Sequence, residues 1–208
     1  MANVLFVKSN DRPADVAISN RMYNAFLASY KEANPADTIV ELDLYNVDLP
    51  YYGNLALTGL FKESKGIERT TEEKKAAATV HFYLNQFLSS DKVVFAFPLW
   101  NFTVPAPLLT YISYLTQPGK TFKYSAEGAV GLVGDKKVAL LTARGGDYSS
   151  EMMQPLEMAL NYMKTILRFW GIQPSKVVIV EGHAQYSDRA AEIIENGLKE
   201  AAAAGANF

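Results

Sequence analysis

The sequence contains no cysteine and only two histidines among its 208 residues. Without cysteine, disulfide bonds, thiolate metal sites and a cysteine nucleophile are all excluded. The two histidines, His81 and His183, lie far apart and match no zinc-binding pattern such as His-Glu-x-x-His. We therefore expect no metal site, and the lack of disulfides suits a reducing compartment.

Neither sign of charge is in excess, because 20 basic side chains accompany 22 acidic ones and the formal net charge is −2. A nucleic-acid-binding protein normally carries a basic face, so no nucleic-acid partner is expected. No apolar run approaches the roughly 18 residues of a membrane span, and the early segment VLFV is too short for a signal peptide. We expect a soluble, cytoplasmic protein without a membrane partner.

Three common catalytic or phosphate-binding motifs are also missing. The sequence has no G-x-x-x-x-G-K-[ST] loop, no G-x-G-x-x-G after a strand and no G-x-S-x-G elbow. These absences argue against a P-loop nucleotide hydrolase, a Rossmann dinucleotide site and a serine hydrolase. A mononucleotide cofactor fits the sequence better than a tightly bound NAD.

The order of apolar patterns predicts an α/β fold in a single domain over residues 1–208. Five short apolar segments alternate with five helical patterns, which indicates a doubly wound parallel sheet with helices on both faces. Among such sheets, the flavodoxin-like strand order 2-1-3-4-5 fits five strands best. The predicted strands are residues 3–8, 39–44, 92–100, 136–143 and 176–182.

Local signals predict where several helices begin. A capping box that starts at Thr70 opens one helix, Pro155 begins a later one, and Ser187 caps the last. Residues 45–70 form a long connection of mixed character, which holds either a short helix or a functional lid or partner contact. Residues 117–135 are a glycine-rich loop, with a small hairpin as the alternative.

Ligands of such sheets bind beyond the carboxyl ends of the strands, at the switch point between strands 1 and 3. Three loops meet there: residues 9–19, 98–105 and 142–148. In the first loop, free amides at a helix start and the hydroxyls of Ser9 and Ser19 suit a phosphate. A lone serine in a first helical turn would carry little weight, but this position above the switch point favours the phosphate.

The second and third loops suit a planar ring. Trp100 and Phe102 can flank such a ring, while Asn101 and nearby amides bond its edge, and an isoalloxazine needs both. Simple packing of two aromatic residues in the core is the alternative. The glycine pair 145–146 allows close backbone approach, or forms a plain turn, and Arg144 is expected to offset negative charge on a reduced flavin.

At these loops the chain resembles the bacterial FMN-dependent, NADH-using azoreductases and the related NAD(P)H quinone oxidoreductases. The resemblance covers nearly the whole chain, and its most specific part is the PLWNF segment at 98–102. It implies that the first loop holds the FMN phosphate and ribityl chain, and that the other two contact the ring. The implied cofactor-binding residues are Ser9, Ala17, Ile18, Ser19, Pro98, Leu99, Trp100, Asn101, Phe102, Ala143, Arg144, Gly145 and Gly146.

The sequence departs from the family pattern at two places. Relatives often carry serine, glutamine and serine where this chain has Ala17, Ile18 and Ser19, so only Ser19 supplies a side-chain donor. An aromatic position that is often tyrosine is Trp100 here, which narrows the ring site or adds stacking.

The resemblance further implies a homodimer with its active sites at the interface, and the aromatic segment 51–61 is a plausible partner surface. Tyr124 and Phe169 match positions on the substrate side of the flavin, and Tyr148 is a third candidate there.

The implied activity is a two-electron reduction of azo dyes and quinones. Tightly bound FMN would alternate hydride transfer between exchanging NADH or NADPH and the acceptor, with no catalytic side chain. A flavodoxin-type electron carrier and a homologue that has lost flavin remain the alternatives.

Overall fold

Seven strands and six α-helices follow one another along the chain, and a computed structural model describes all 208 residues. The strands are β1 (Asn3–Lys8), β2 (Thr38–Asp43), β3 (Lys92–Pro98), β4 (Phe122–Ser125), β5 (Gly128–Gly131), β6 (Lys137–Arg144) and β7 (Lys176–Glu181). The helices are α1 (Ile18–Ala33), α2 (Asn54–Ser64), α3 (Thr71–Leu88), α4 (Ala106–Leu115), α5 (Met158–Phe169) and α6 (Ala190–Ala206). None of the helices is long and apolar enough to cross a membrane.

Five of the strands form one parallel sheet in the order β2-β1-β3-β6-β7. Numbered within this sheet alone, the order is 2-1-3-4-5, so the predicted flavodoxin-like arrangement is confirmed. β1 lies between β2 and β3, and the chain changes direction across the sheet at this point. The carboxyl ends of β1 and β3 therefore open onto the expected binding crevice.

Each face of the sheet carries its own buried layer. Leu5 and Val7 of β1 belong to one cluster, which also includes apolar residues of α3, α4 and α5. Val4 and Phe6 point to the other face and join residues of α1 and α6. Because both faces are covered, the central strands read as continuous apolar runs rather than as alternating ones.

Helix starts were predicted with mixed success. The capping box at Thr70 is confirmed, since its Oγ1 accepts from Glu73 N–H (3.2 Å) and its N–H donates to Glu73 Oε2 (2.9 Å). The predicted start at Pro155 is wrong, because Gln154–Leu156 forms a 3₁₀ turn and α5 begins at Met158. Ser187 also does not cap α6, because Ser187–Arg189 is a separate 3₁₀ turn and no side chain caps the helix.

The two long connections both contain regular structure. The segment 45–70 includes α2, which is joined to α3 by an ion pair between Lys62 Nζ and Glu73 Oε1 (2.7 Å). The segment 117–135 contains the antiparallel hairpin of β4 and β5, as the alternative reading foresaw.

Candidate functional site

Buried asparagines hold the loop between β1 and α1 in place. Asn10 Nδ2 donates to Ser19 Oγ (2.9 Å), and Asn20 Nδ2 donates to the backbone carbonyls of Asn10 (3.2 Å) and Arg12 (2.7 Å). The Arg12 N–H in turn donates to Asn10 Oδ1 (3.0 Å). Because Ser19 Oγ accepts from Asn10, its own hydroxyl hydrogen is free to donate to a ligand.

The start of α1 offers hydrogen-bond donors that the protein leaves unused. Ala17 occupies the N-cap position and provides no capping side chain. The N–H groups of Ile18 and Ser19 donate to no protein oxygen, and the fully buried hydroxyl of Ser9, at the end of β1, has no partner. These donors and the helix dipole together favour an anion at this corner.

The segment after β3 makes a tight turn. Trp100 N–H donates to Thr103 O and Thr103 N–H donates to Trp100 O, both at 3.0 Å. The two residues between them have positive φ, 48° at Asn101 and 67° at Phe102, as a type I′ turn requires. Asparagine tolerates this conformation, whereas phenylalanine is strained in it. The exposed Asn101 side chain makes no hydrogen bond within the protein, so its amide is available to a ligand.

The third loop packs closely on the turn that follows β7. Gly145 O accepts from the N–H groups of Ala184 (3.0 Å) and Gln185 (3.2 Å), and Gly182 N–H donates to Gly146 O (3.1 Å). A Cβ atom added at Gly145 would lie only 2.9 Å from Ala184 Cβ. The close packing of Gly145 against Ala184 therefore explains the glycine at position 145 without any contact between that residue and a ligand.

Arg144 is buried and paired with two carboxylates. Its Nε donates to Glu181 Oε2 (2.9 Å), and its Nη1 lies 3.2 Å from Glu157 Oε1. Glu181 Oε2 also accepts from Tyr148 N–H (3.1 Å), and Glu157 Oε1 caps α5 by accepting from Leu160 N–H (3.0 Å). One guanidinium beside two carboxylates supplies no net positive charge, so the expectation that Arg144 offsets flavin charge is not supported. Its contacts instead fix the third loop to the start of α5.

His183 borders the same crevice. Its Nδ1 is buried and has no hydrogen-bond partner. Burial lowers the pKa of His183 below the ordinary 6.5, so the imidazole is neutral at pH 7 and has one donor and one acceptor nitrogen.

The three loops enclose a cavity of about 290 Å³ at the carboxyl ends of β1, β3 and β6. It is lined by Asn10, Arg12, Val16, Ala17, Ile18, Ser19, Pro98, Leu99, Trp100, Ala143, Arg144, Gly145, His183 and Ala184. The rings of Tyr45 and Trp100 pack in a T-shaped arrangement, with a centroid separation of 6.4 Å. One end of the cavity is polar and rich in donors, and the other is apolar and aromatic.

Most of the residues proposed as cofactor ligands meet at this cavity. Ala17, Ile18, Ser19, Pro98, Leu99, Trp100, Ala143, Arg144 and Gly145 line it. The remaining four, Ser9, Asn101, Phe102 and Gly146, neighbour these residues in sequence but do not line it. Their contact with a cofactor stays a prediction.

Two of the substrate-side candidates lie elsewhere on the chain. Tyr124 packs edge-on against Phe122 (5.3 Å between centroids), and Phe122 packs against Phe169 (4.4 Å). The next residue, Trp170, accepts from Val133 N–H (3.1 Å) just before β6 begins. The cluster therefore lies near the amino end of β6, whereas the cavity lies at its carboxyl end. β6 has eight residues and is about 25 Å long, so the cluster and the cavity are at opposite ends of the sheet. The third candidate, Tyr148, is beside Arg144, whose guanidinium carbon is 5.6 Å from the Tyr148 ring centroid.

Comparison with known proteins agrees with this architecture. A protein family described as having a flavodoxin-like fold matches residues 2–204. This chain belongs to the flavodoxin-like fold family. An "FMN-dependent NADH:quinone oxidoreductase 1" of Bacillus cereus is 62% identical over 208 residues, which is the full length of both chains.

Two solved structures show how closely the fold agrees among members of this flavodoxin-like family. An azoreductase from Bacillus anthracis str. Sterne has a TM-score of 0.97 and 56% identity, with all of both chains covered. An FMN-dependent NADH-azoreductase from Bacillus anthracis str. Ames Ancestor, in complex with FMN, has a TM-score of 0.91 and 28% identity. In that comparison, 100% of this chain and 99% of the other are covered.

The residues present in this flavodoxin-like protein fit FMN. The free Ile18 and Ser19 amides, which line the cavity, match one phosphate group, and a contact from the unpartnered Ser9 hydroxyl stays a prediction. Only one helix start, that of α1, lines the cavity, which matches a mononucleotide rather than a dinucleotide. Trp100 and Leu99 provide apolar surface for a planar ring.

Sequence reasoning missed the residues that shape the phosphate corner. Asn10 and Asn20 form the buried network, and Arg12 lies at the edge of the cavity. A usable signal was present in Asn20. Asparagine is a poor residue inside a helix, so one in the first turn of α1 indicates a specific hydrogen-bonding role.

Proposed function

We propose that this protein is an FMN-dependent NADH:quinone oxidoreductase that also reduces azo compounds. The observation that carries the proposal is the set of free donors at Ser9 and the uncapped α1 start, beside an apolar crevice at the switch point. The relatives agree, because a full-length relative at 62% identity and a structural neighbour at 56% identity are named for these two activities.

The chain's own residues bind and orient the cofactor. Ser19, Ser9 and the Ile18 amide would hold the phosphate, residues 98–102 and 143–146 would contact the ring, and the apolar lining would limit access of water. When bound, FMN supplies the two-electron redox chemistry that no side chain can provide. The cavity lining contains no cysteine, aspartate or glutamate, and its one histidine, His183, has a pKa lowered by burial and is neutral at pH 7. The two-electron chemistry of FMN requires no side-chain acid, so solvent would supply the protons.

An electron carrier of the flavodoxin type is the weaker alternative. The close relatives are named as oxidoreductases that use NADH, not as carriers. A net charge of −2 also lacks the strong acidity that is usual for such carriers.

We further propose that the protein acts as a homodimer in the cytoplasm. Tyr124 and Phe169 lie far from the cavity of their own chain, so they can serve a site only in a second copy. Exposed apolar side chains on and near α2, among them Tyr51, Leu57 and Phe61, offer a surface for that copy. The lack of cysteine suits a reducing compartment, where NADH is available as the exchanging co-substrate.

Anaerobic reduction tests the activity. The FMN-loaded protein should lose its yellow absorbance on addition of NADH and regain it when a quinone or an azo dye is added. If NADH alone does not reduce the flavin, the protein is an electron carrier and not an NADH-dependent oxidoreductase.

A further inference from the structure

Two cations line the cavity, and only one of them lacks a counter-ion. Arg144 is paired with Glu157 and Glu181. Arg12 forms no ion pair, not even with Asp11 or Asp15 of its own loop. The net positive charge that the protein presents to a ligand in this cavity therefore comes from Arg12.

The backbone of Arg12 is fixed while its side chain is free. Its carbonyl accepts from the buried Asn20 (2.7 Å) and its N–H donates to the buried Asn10 (3.0 Å). The side chain itself is exposed and makes no hydrogen bond in the protein. A fixed starting point lowers the entropic cost of placing a long side chain on a ligand.

The groups around Arg12 show which part of a ligand it can bind. The same corner contains the free amides of Ile18 and Ser19 and the free hydroxyl hydrogen of Ser19. No aspartate or glutamate lines the cavity. A corner built from donors and one unpaired guanidinium is suited to a dianionic phosphate.

We propose that Arg12 binds the terminal phosphate of FMN and makes the site selective for FMN over riboflavin. The inference rests on the proposed function, because it assigns a specificity-determining residue to the proposed cofactor site. Ala17 contributes no hydroxyl at this corner, so the guanidinium supplies charge and hydrogen bonds that the helix start lacks.

The test compares two flavins that differ only in the phosphate. Apo protein would be titrated into FMN and into riboflavin, and binding followed by quenching of flavin fluorescence. Arg12→Ala should weaken FMN binding roughly tenfold or more and leave riboflavin binding within about twofold. Arg12→Lys should retain part of the preference, since it keeps the charge but loses the planar pair of donors.

Arg21→Ala is the matched control. Arg21 lies in the first turns of α1 but does not line the cavity, so its loss removes the same charge without the proposed contact. Added salt should weaken FMN binding to the wild type more than to Arg12→Ala, because screening acts on the exposed charge.

Three outcomes would overturn the assignment of Arg12. They are equal losses for FMN and riboflavin, no loss for either, or an equal loss in the Arg21 control. If the wild type prefers FMN but Arg12→Ala keeps that preference, only the role of Arg12 fails. If the wild type binds neither flavin, the proposed function fails and the assignment fails with it.

Discussion

The tight turn at Asn101 allows the roles of its side chain and its backbone to be measured separately. Asn101 has a φ of 48° and an exposed amide without a partner in the protein. Asn101→Gly removes both the amide and the Cβ, so it adopts the positive φ without steric strain, whereas Asn101→Ala removes the amide but keeps a Cβ that is strained at this φ. If the amide contacts the flavin edge, the two variants should lose FMN affinity equally and differ only in stability.

The structure sets the size of both effects. An alanine with left-handed φ costs about 1–2 kcal/mol, so the apo form of Asn101→Ala should be less stable than that of Asn101→Gly by this amount. Loss of one side-chain hydrogen bond costs about 1–3 kcal/mol when the group left behind is buried. Because Asn101 is exposed and lies outside the cavity lining, we expect the lower end, about 1 kcal/mol, which is roughly a fivefold loss of FMN affinity.

Two measurements are needed on each variant: urea unfolding of the apo protein and titration with FMN. Asn101→Asp is a useful third variant, since it keeps the shape and the tolerance of positive φ but replaces the amide donors with a negative charge. Wild-type FMN affinity in Asn101→Gly would refute the reasoning, because the turn conformation would then be the only contribution of Asn101.

Three further perturbations test the fold and the site. A Cβ at Gly131 would lie 2.1 Å from the backbone nitrogen of Gly171, so Gly131→Ala should lower the free energy of unfolding by about 1–3 kcal/mol; an unchanged urea midpoint would contradict this. Thr70→Ala removes the capping box of α3 and should cost about 1 kcal/mol in the same assay, while Thr70→Ser should be nearly neutral. Burial lowers the pKa of His183 below 6.5, so the unfolded chain takes up this proton at a higher pH than the folded one. Wild-type stability should therefore fall as the pH drops below about 6.5, and His183→Gln should lose less stability between pH 7 and pH 5. Parallel losses in both proteins would exclude His183 as the cause.

The features that could be predicted from the sequence depend on neighbouring residues. The central strands could be predicted because a strand that is covered on both faces has a continuous apolar sequence. That sequence can be recognised without knowing which residues pack against it. The start of α3 was found because both halves of its capping box, Thr70 and Glu73, lie within one turn. The position of the cavity followed from strand order alone.

The errors arose where distant residues decide the local structure. Pro155 is an acceptable first helical residue, but α5 begins later, where Glu157 both caps the helix and pairs with Arg144 of β6. The same pairing, together with Glu181 of β7, cancels the charge that the sequence assigned to Arg144. No pattern near residue 144 reveals these carboxylates, because they come from other elements of the fold.

If the FMN phosphate binds at the start of α1 as proposed, the alanine at this N-cap ties the stability of the protein to its supply of flavin. Like α2, α4 and α6, helix α1 has no capping side chain, and under the proposed function a bound FMN phosphate would satisfy its first amides. A ligand that binds only the folded state stabilises it by about 2.7 kcal/mol at a hundred times its dissociation constant. In a flavin-starved cell, we expect the first turn of α1 to fray and proteases to degrade the empty chain sooner. The abundance of the protein would then follow the availability of its cofactor without a dedicated regulator.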